Sequence, residues 1–429
     1  MGEIISLGNL LESMAARGGA AAPPWVRLLR AEGQLDFAAR GIPNRRDEAW
    51  KYSDLARSLN ETALETGPIH TPPVIPGAYL AAFENGVLDE KHSTLTQTWA
   101  RSLRPVLAEP VSSAADAIGQ VNYPADHALV SLNIALMEEG LVLRVPKGTV
   151  LEVPLHLRFN WQGDAARAPE GRHIRILIVL EDGAQATLIE THNGAPGFAT
   201  FVSELRLGAH AKLTHVRLER LGSSARQSAV TLGELDRAAK YQGFYLSEGG
   251  HFARHEALLK LSGEAAEVQI DGAYLVAGAR HCDNTTVVTH AAPRTASRQV
   301  FRGVLGGHGR GVYQGCIKVQ PEAQGTDARQ MSRAMLLSRK ARIATKPELE
   351  IFADDVKCSH GATSGELDAA ALFYLRARGI PLAEARALLI EAFLGEALAA
   401  IDSESLRAIA AASVQDWLAL HAGEAQDGE

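Results

Sequence analysis

Cys358 and His360, two positions apart in Lys357-Cys-Ser-His-Gly361, are the side chains of this sequence with the clearest capacity for ligand chemistry. A thiolate and an imidazole are soft donors that transition metals accept. In an extended segment residues i and i+2 point to one side, so both can address a single metal or a single partner. Two donors are about half of what an enclosed four-ligand site requires. The competing reading is structural: Cys358 packed as a small hydrophobe, and His360 as a surface residue at a turn before Gly361.

The other candidates are weaker. Cysteines 282, 316 and 358 are odd in number, far apart and never spaced as Cys-x-x-Cys, which fits a reducing compartment and excludes a disulfide framework. His251, His255, His281, His290 and His308 are too irregularly spaced to define a metal site and read as hydrogen-bonded histidines on strands and turns. Gly306-Gly-His-Gly-Arg-Gly311 has the glycines of a phosphate loop, but neither Lys-Ser nor Lys-Thr follows and no helix opens after it, so a turn accounts for it. A net charge of −7 argues against nucleic acid or an anionic membrane as the main partner. The 429 residues are 46% hydrophobic and 22% charged, as in globular proteins. With neither a signal peptide nor a long apolar run, a cytoplasmic protein is expected.

Three regions must position these residues. Residues 1–125 read as a mostly helical domain, with helices over Ile4–Ala16 and Trp25–Arg40, a proline-rich connector over Pro68–Pro76 and a hairpin around Asn85-Gly86. Within it, Arg45-Arg-Asp-Glu-Ala-Trp-Lys-Tyr-Ser-Asp-Leu55 is either a docking motif or a capped turn with Trp50 and Tyr52 packed on the helical domain. Residues 126–345 are a succession of short strands with period-two alternation, among them 150–159, 174–180, 201–207 and 212–218. Gly-x-x-Ala recurs at Gly183, Gly208 and Gly263, a period near 25 that favours a mainly β solenoid over a sandwich or jelly roll. The basic run Arg329–Arg342 is expected on strands at its end. Residues 346–429 turn helical: Pro381 opens a helix in which Leu394, Leu398 and Ile401 form a second apolar stripe, ahead of a last helix carrying Leu406, Ile409, Val414 and Trp417. The tail from Gly423 is acidic and small.

Lys346-Pro-Glu-Leu-Glu-Ile-Phe-Ala-Asp-Asp-Val-Lys-Cys-Ser-His-Gly-Ala-Thr363, with Leu372-Phe-Tyr-Leu-Arg-x-Arg-Gly-Ile-Pro381, resembles the C-terminal signature of the SufB/SufD iron–sulfur assembly scaffold family. The Arg45–Leu55 motif is similar to that family's N-terminal motif. Met331 stands where SufB-type chains carry a cysteine, and Ser359 and Gly361 where they carry glutamates, so the resemblance is to the SufD-type branch. It implies a right-handed parallel β-helix between two helical domains, pairing with a SufB-type paralogue and a SufC-type ABC ATPase. It further implies a transient iron–sulfur cluster at the shared interface with His360 and Cys358 as this chain's ligands, no catalysis by the chain itself, and homodimers in isolation.

The resemblance also makes the C-terminal domain the ATPase-docking part, and Phe393, Leu394 and Leu398 are assigned to that contact. Two other classes remain: a brace that only supports its paralogue, and a β-helix enzyme such as a polysaccharide lyase, which would call for clustered acids or a calcium site and an export signal.

Overall fold

The computed structural model describes residues 6–17, 22–62, 72–110, 118–119, 121, 127–163 and 171–421; the tail from Gly423 and part of the 68–76 connector lie outside them. The strands are β1 (Tyr79–Glu84), β2 (Val87–Leu88), β3 (Ala100–Ser102), β4 (Glu139–Val145), β5 (Leu155–Trp161), β6 (Arg172–Leu180), β7 (Gln185–Gly194), β8 (Ala199–Leu207), β9 (Lys212–Leu221) and β10 (Arg226–Leu235). They continue as β11 (Lys240–Ser247), β12 (Phe252–Leu261), β13 (Glu267–Val276), β14 (His281–His290), β15 (Ala296–Leu305), β16 (Arg310–Val319), β17 (Thr326–Leu336), β18 (Arg342–Ile351) and β19 (Val356–Gly365). Helices α1 (Leu7–Arg17), α2 (Pro24–Arg40), α3 (Leu55–Asn60), α4 (Leu103–Val106) and α5 (Ala128–Leu136) lie on the N-terminal side, and α6 (Ala369–Ala377), α7 (Leu382–Leu398) and α8 (Glu404–His421) follow the strands.

From β4 onward successive strands alternate between two sheets, and each pairs in parallel with the strand one coil away. The result is the expected parallel β-solenoid of about seven turns with helices at both termini. Arg172 pairs with Ala199 and Gln185 with Lys212, so a coil here takes 27 residues rather than 25. The discrepancy has a local cause. Each coil needs a left-handed turn residue, and that column is filled by Gly183, His210, Ala238, Ala265 and Arg294, with φ from 53° to 69°. Four of these five are not glycine, while Gly148 and Gly325 extend the column at either end, so counting glycines misjudges the repeat. Behind each turn a fully buried alanine, Ala184, Ala211, Ala239 and Ala266, stacks on the next.

Side-chain alternation sorts every strand into a lumen face and an outer face. Leu188, Leu213, Tyr241, Val268 and Phe301 point into a core that runs the length of the lumen. Ile189, Val216, Phe244, Leu275 and Val304, on the opposite face of the same sheet, are covered by α7 and α8 through Ile390, Leu394, Leu398, Val414 and Trp417. The N-terminal helices cover the other sheet. Gly33 of α2 lies so close to α5 that a Cβ there would sit 2.7 Å from the Ser131 carbonyl oxygen, which ties the two helices together. The hairpin at Asn85-Gly86 forms with both residues at positive φ.

The ends of the solenoid differ. At the N-terminal end β2 and β3 pair antiparallel to β1 and β4 and stop the ladder. At the other end the parallel ladder runs across position 345 to Gly365, and β18 and β19 are the last strands of their sheets among the described residues.

Candidate functional site

β19 carries Cys358 and His360 on the last coil, as the extended spacing requires. Their register partners on β17 are Ala328 and Gln330, both buried in the lumen, so the thiol and the imidazole share the lumen face at its open mouth. Cys358 is half-buried beside Ile317, Ala328 and Leu349. That burial pushes its thiol up, opposed by a hydrogen bond with the Ala328 backbone and aided by Asp327. His360 is exposed. Beneath it, Gln330 donates to the Glu348 carbonyl oxygen (2.9 Å) and accepts from the Tyr313 hydroxyl (3.3 Å), a polar floor joining both sheets. A side chain at Gly315 would collide with that floor, its Cβ 2.0 Å from Gln330 Oε1.

Met331 and Gly361 pair with each other but occupy the opposite parity, facing outward; a Cβ at Gly361 would approach Met331 Cε to 2.7 Å. The structure therefore separates Met331, Ser359 and Gly361 from the lumen-facing pair. Among the described residues no group of three or more His, Cys, Asp or Glu side chains converges to hold a metal ion. The mouth offers two soft donors on one exposed edge strand.

Three of the other candidate histidines are held by protein partners. His290 bonds Thr295 and Ser297, His255 bonds Thr231, and burial lowers both imidazoles, to about 4 and about 3. His281 belongs to a clamp on the N-terminal motif. Ser53 gives its one proton to Asp283, so the proton in its 2.9 Å bond to His281 is the one on Nε2. Trp50 stacks on Phe252 and lies 4.2 Å from the guanidinium of Arg254, which ion-pairs with Asp283 and Glu256 and donates to the Ala49 carbonyl oxygen. Trp50 thus packs on the solenoid as well as on the helices. Glu48 meets Lys346 at 2.7 Å, which brings the two sequence motifs together. The clamp was not legible in the sequence, where Arg254-His-Glu256 and Asp283-Asn284 read as polar runs on strands rather than as the seat of Trp50.

The residues assigned to the ATPase contact are placed differently from the expectation. Leu394 and Leu398 are buried between α8 and the solenoid, 0% and 7% exposed, and Phe393 lies under the Arg302 guanidinium at 5.0 Å. The stripe is spent on intramolecular packing because α7 is apolar on the side facing β13 and β15. α6 is the helix left open: it has no buried residue, and Phe373 and Tyr374 are 74% and 55% exposed. Charging Leu394 is therefore expected to loosen the whole C-terminal pair rather than block one contact, by about 3 kcal/mol or more in urea unfolding.

The fold is thus a two-sheet parallel solenoid with helical ends, and two soft donors lie on the last strand of one sheet among the described residues. Residues 162–393 match the family described as SUF system FeS cluster assembly, SufBD core domain. The chain is 31% identical over 400 residues to an iron–sulfur cluster assembly SufBD family protein of Synechocystis, covering 85% of each. It is 29% identical over 402 residues to the iron–sulfur cluster assembly protein SufD of Escherichia coli, covering 89% of this chain and 93% of that one. It also aligns over 290 residues, at 26% identity, with SufD of Bacillus subtilis. The chain belongs to the SufBD family, and its role lies in iron–sulfur cluster assembly. No described helix is long and apolar enough to cross a membrane.

Proposed function

We propose that this chain is a SufD-type scaffold subunit without catalysis of its own. Its open end pairs with a SufB-type paralogue, and Cys358 and His360 supply part of the ligand set for a nascent iron–sulfur cluster that is passed on. The observation that carries this reading is the position of both donors on β19, whose outer edge has no strand partner. An unpaired edge is a template for another chain, and an incomplete ligand set releases its cargo where a closed four-ligand site retains it. The same edge can join two copies when the paralogue is absent. The three cysteines are free, which fits the reducing cytoplasm.

We assign the contact with a SufC-type ABC ATPase to α6. Exposed aromatics on a helix with no buried face are the surface a partner covers. Co-expression with SufB-like and SufC-like partners should yield one complex, and anaerobic reconstitution should give the visible absorbance of a cluster. Phe373→Asp should lower ATPase capture at least tenfold while the SufB-type partner is retained; normal capture would move the contact off α6.

A further inference from the structure

Midway along the lumen the apolar core is interrupted. β5 and β6 fill it with Leu157, Phe159, Ile176 and Ile178, and β13 and β14 with Val268, Ile270 and Val288. Between them stands an ionic layer closed to solvent. Glu190 on β7 bonds His192 Nε2 at 3.1 Å and the Arg217 guanidinium through one oxygen, and His215 Nε2 lies 3.2 Å from the other. Arg217 also holds Glu219 at 2.7 Å, which in turn accepts from Gln227 on β10. Along the same sheet His215 bonds Tyr241 and Tyr241 bonds Tyr245; across the lumen His255 of β12 lies against the Tyr245 ring and bonds Thr231. Phe159 and Phe201 pack on His192, and Arg217 faces Phe201 at 5.6 Å. Cys282 on β14 is the nearest thiol in the following coil of that lumen.

Glu190, His192 and His215 are fully buried, and Glu219 and His255 nearly so. One guanidinium serves two carboxylates, and His192 Nδ1 has no hydrogen-bond partner. A positive charge on His192 or His255 would have to be held without water and in the field of the Arg217 guanidinium. Burial, with Arg217 second, lowers His192 and holds His255 at about 3. Burial alone would raise Glu190 and Glu219, but Arg217 and the neighbouring imidazoles hold both below the usual carboxylate range.

We propose that this lumenal layer is an acid-sensitive joint that couples the N-terminal coils to the terminal coils bearing Cys358 and His360. In a solenoid each coil contacts only its neighbours, so loosening one layer uncouples the two sides. The sign follows from proton counting. An opened chain protonates His192 and His255 near pH 6.5, whereas burial in the closed layer keeps these two neutral to lower pH. The closed state is thus fully favoured above about pH 6.5 and loses its advantage as pH falls below it, by roughly tenfold per histidine for each pH unit. The carboxylates add to the same trend at lower pH.

Hydrogen exchange of the full chain at pH 7.5 and 5.5, corrected for intrinsic rates, tests this. β7, β9, β11 and β12 should lose protection by tenfold or more, while β5, β6, β15 and β16 change by less than threefold. In a His192→Gln/His255→Gln chain with native circular dichroism, the acid-dependent loss should shrink at least tenfold. A uniform loss along the solenoid, a loss confined to its ends, or an unchanged response in the folded double variant would each overturn the joint. If the double variant does not fold, the wild-type exchange pattern decides alone.

Discussion

His360→Ala is expected to leave the complex with a SufB-type paralogue intact and to abolish cluster formation on anaerobic reconstitution. The side chain is exposed on an edge strand, so truncation costs little stability, within about 0.5 kcal/mol for a surface site. In the proposed site its loss removes one of this chain's two donors, and a single half-buried thiol with a raised pKa is a poor ligand by itself. His360→Cys restores a soft donor at the same lumen-facing position and should recover part of the yield. Iron and acid-labile sulfide content, read beside the absorbance, distinguishes a lost cluster from an altered one. Undiminished cluster in an assembled His360→Ala complex would favour the brace over the scaffold.

The second large effect is on stability. Arg254→Met should destabilise the fold by about 3–5 kcal/mol, because it leaves Asp283 and Glu256 buried without their cation. Burial already pushes the Asp283 carboxyl up, against Arg254 and Ser53. The variant also withdraws the guanidinium from Trp50 and the donor from the Ala49 carbonyl oxygen. Residues 45–60 should lose hydrogen-exchange protection before the strands do. A change below about 1 kcal/mol in the urea-unfolding free energy, with that segment still protected, would show that the clamp is held by other contacts.

Much of the architecture was readable because a solenoid repeats one local rule. Period-two strands such as Ile174–Leu180 and the small residues of the turns are sufficient to call it. The pair Cys358 and His360 was readable because spacing on a strand fixes a common face. What escaped was whatever depends on which face meets what. β9 carries Lys-Leu-Thr-His-Val-Arg-Leu-Glu, in which polar and apolar residues alternate, and either set could be taken as the exposed one. In the structure both are buried: Val216 and Leu218 lie under the C-terminal helices, and His215, Arg217 and Glu219 line the lumen. Leu394 failed for the same reason, since a two-faced apolar helix does not say which face finds the solenoid and which finds a partner.

The asymmetry of the two solenoid ends has a thermodynamic consequence. In the proposed pairing, the outer backbone groups and lumen contacts of the last coil are completed by the partner chain. The folding free energy of β18 and β19 is therefore a function of partner concentration, by the linkage that ties any native-state ligand to stability. Excess partner raises the melting temperature of this coil in proportion to the logarithm of its concentration. On that proposal dilution frays the coil from Gly365 inward, so the strand that carries Cys358 and His360 is the one whose order the assembly would set.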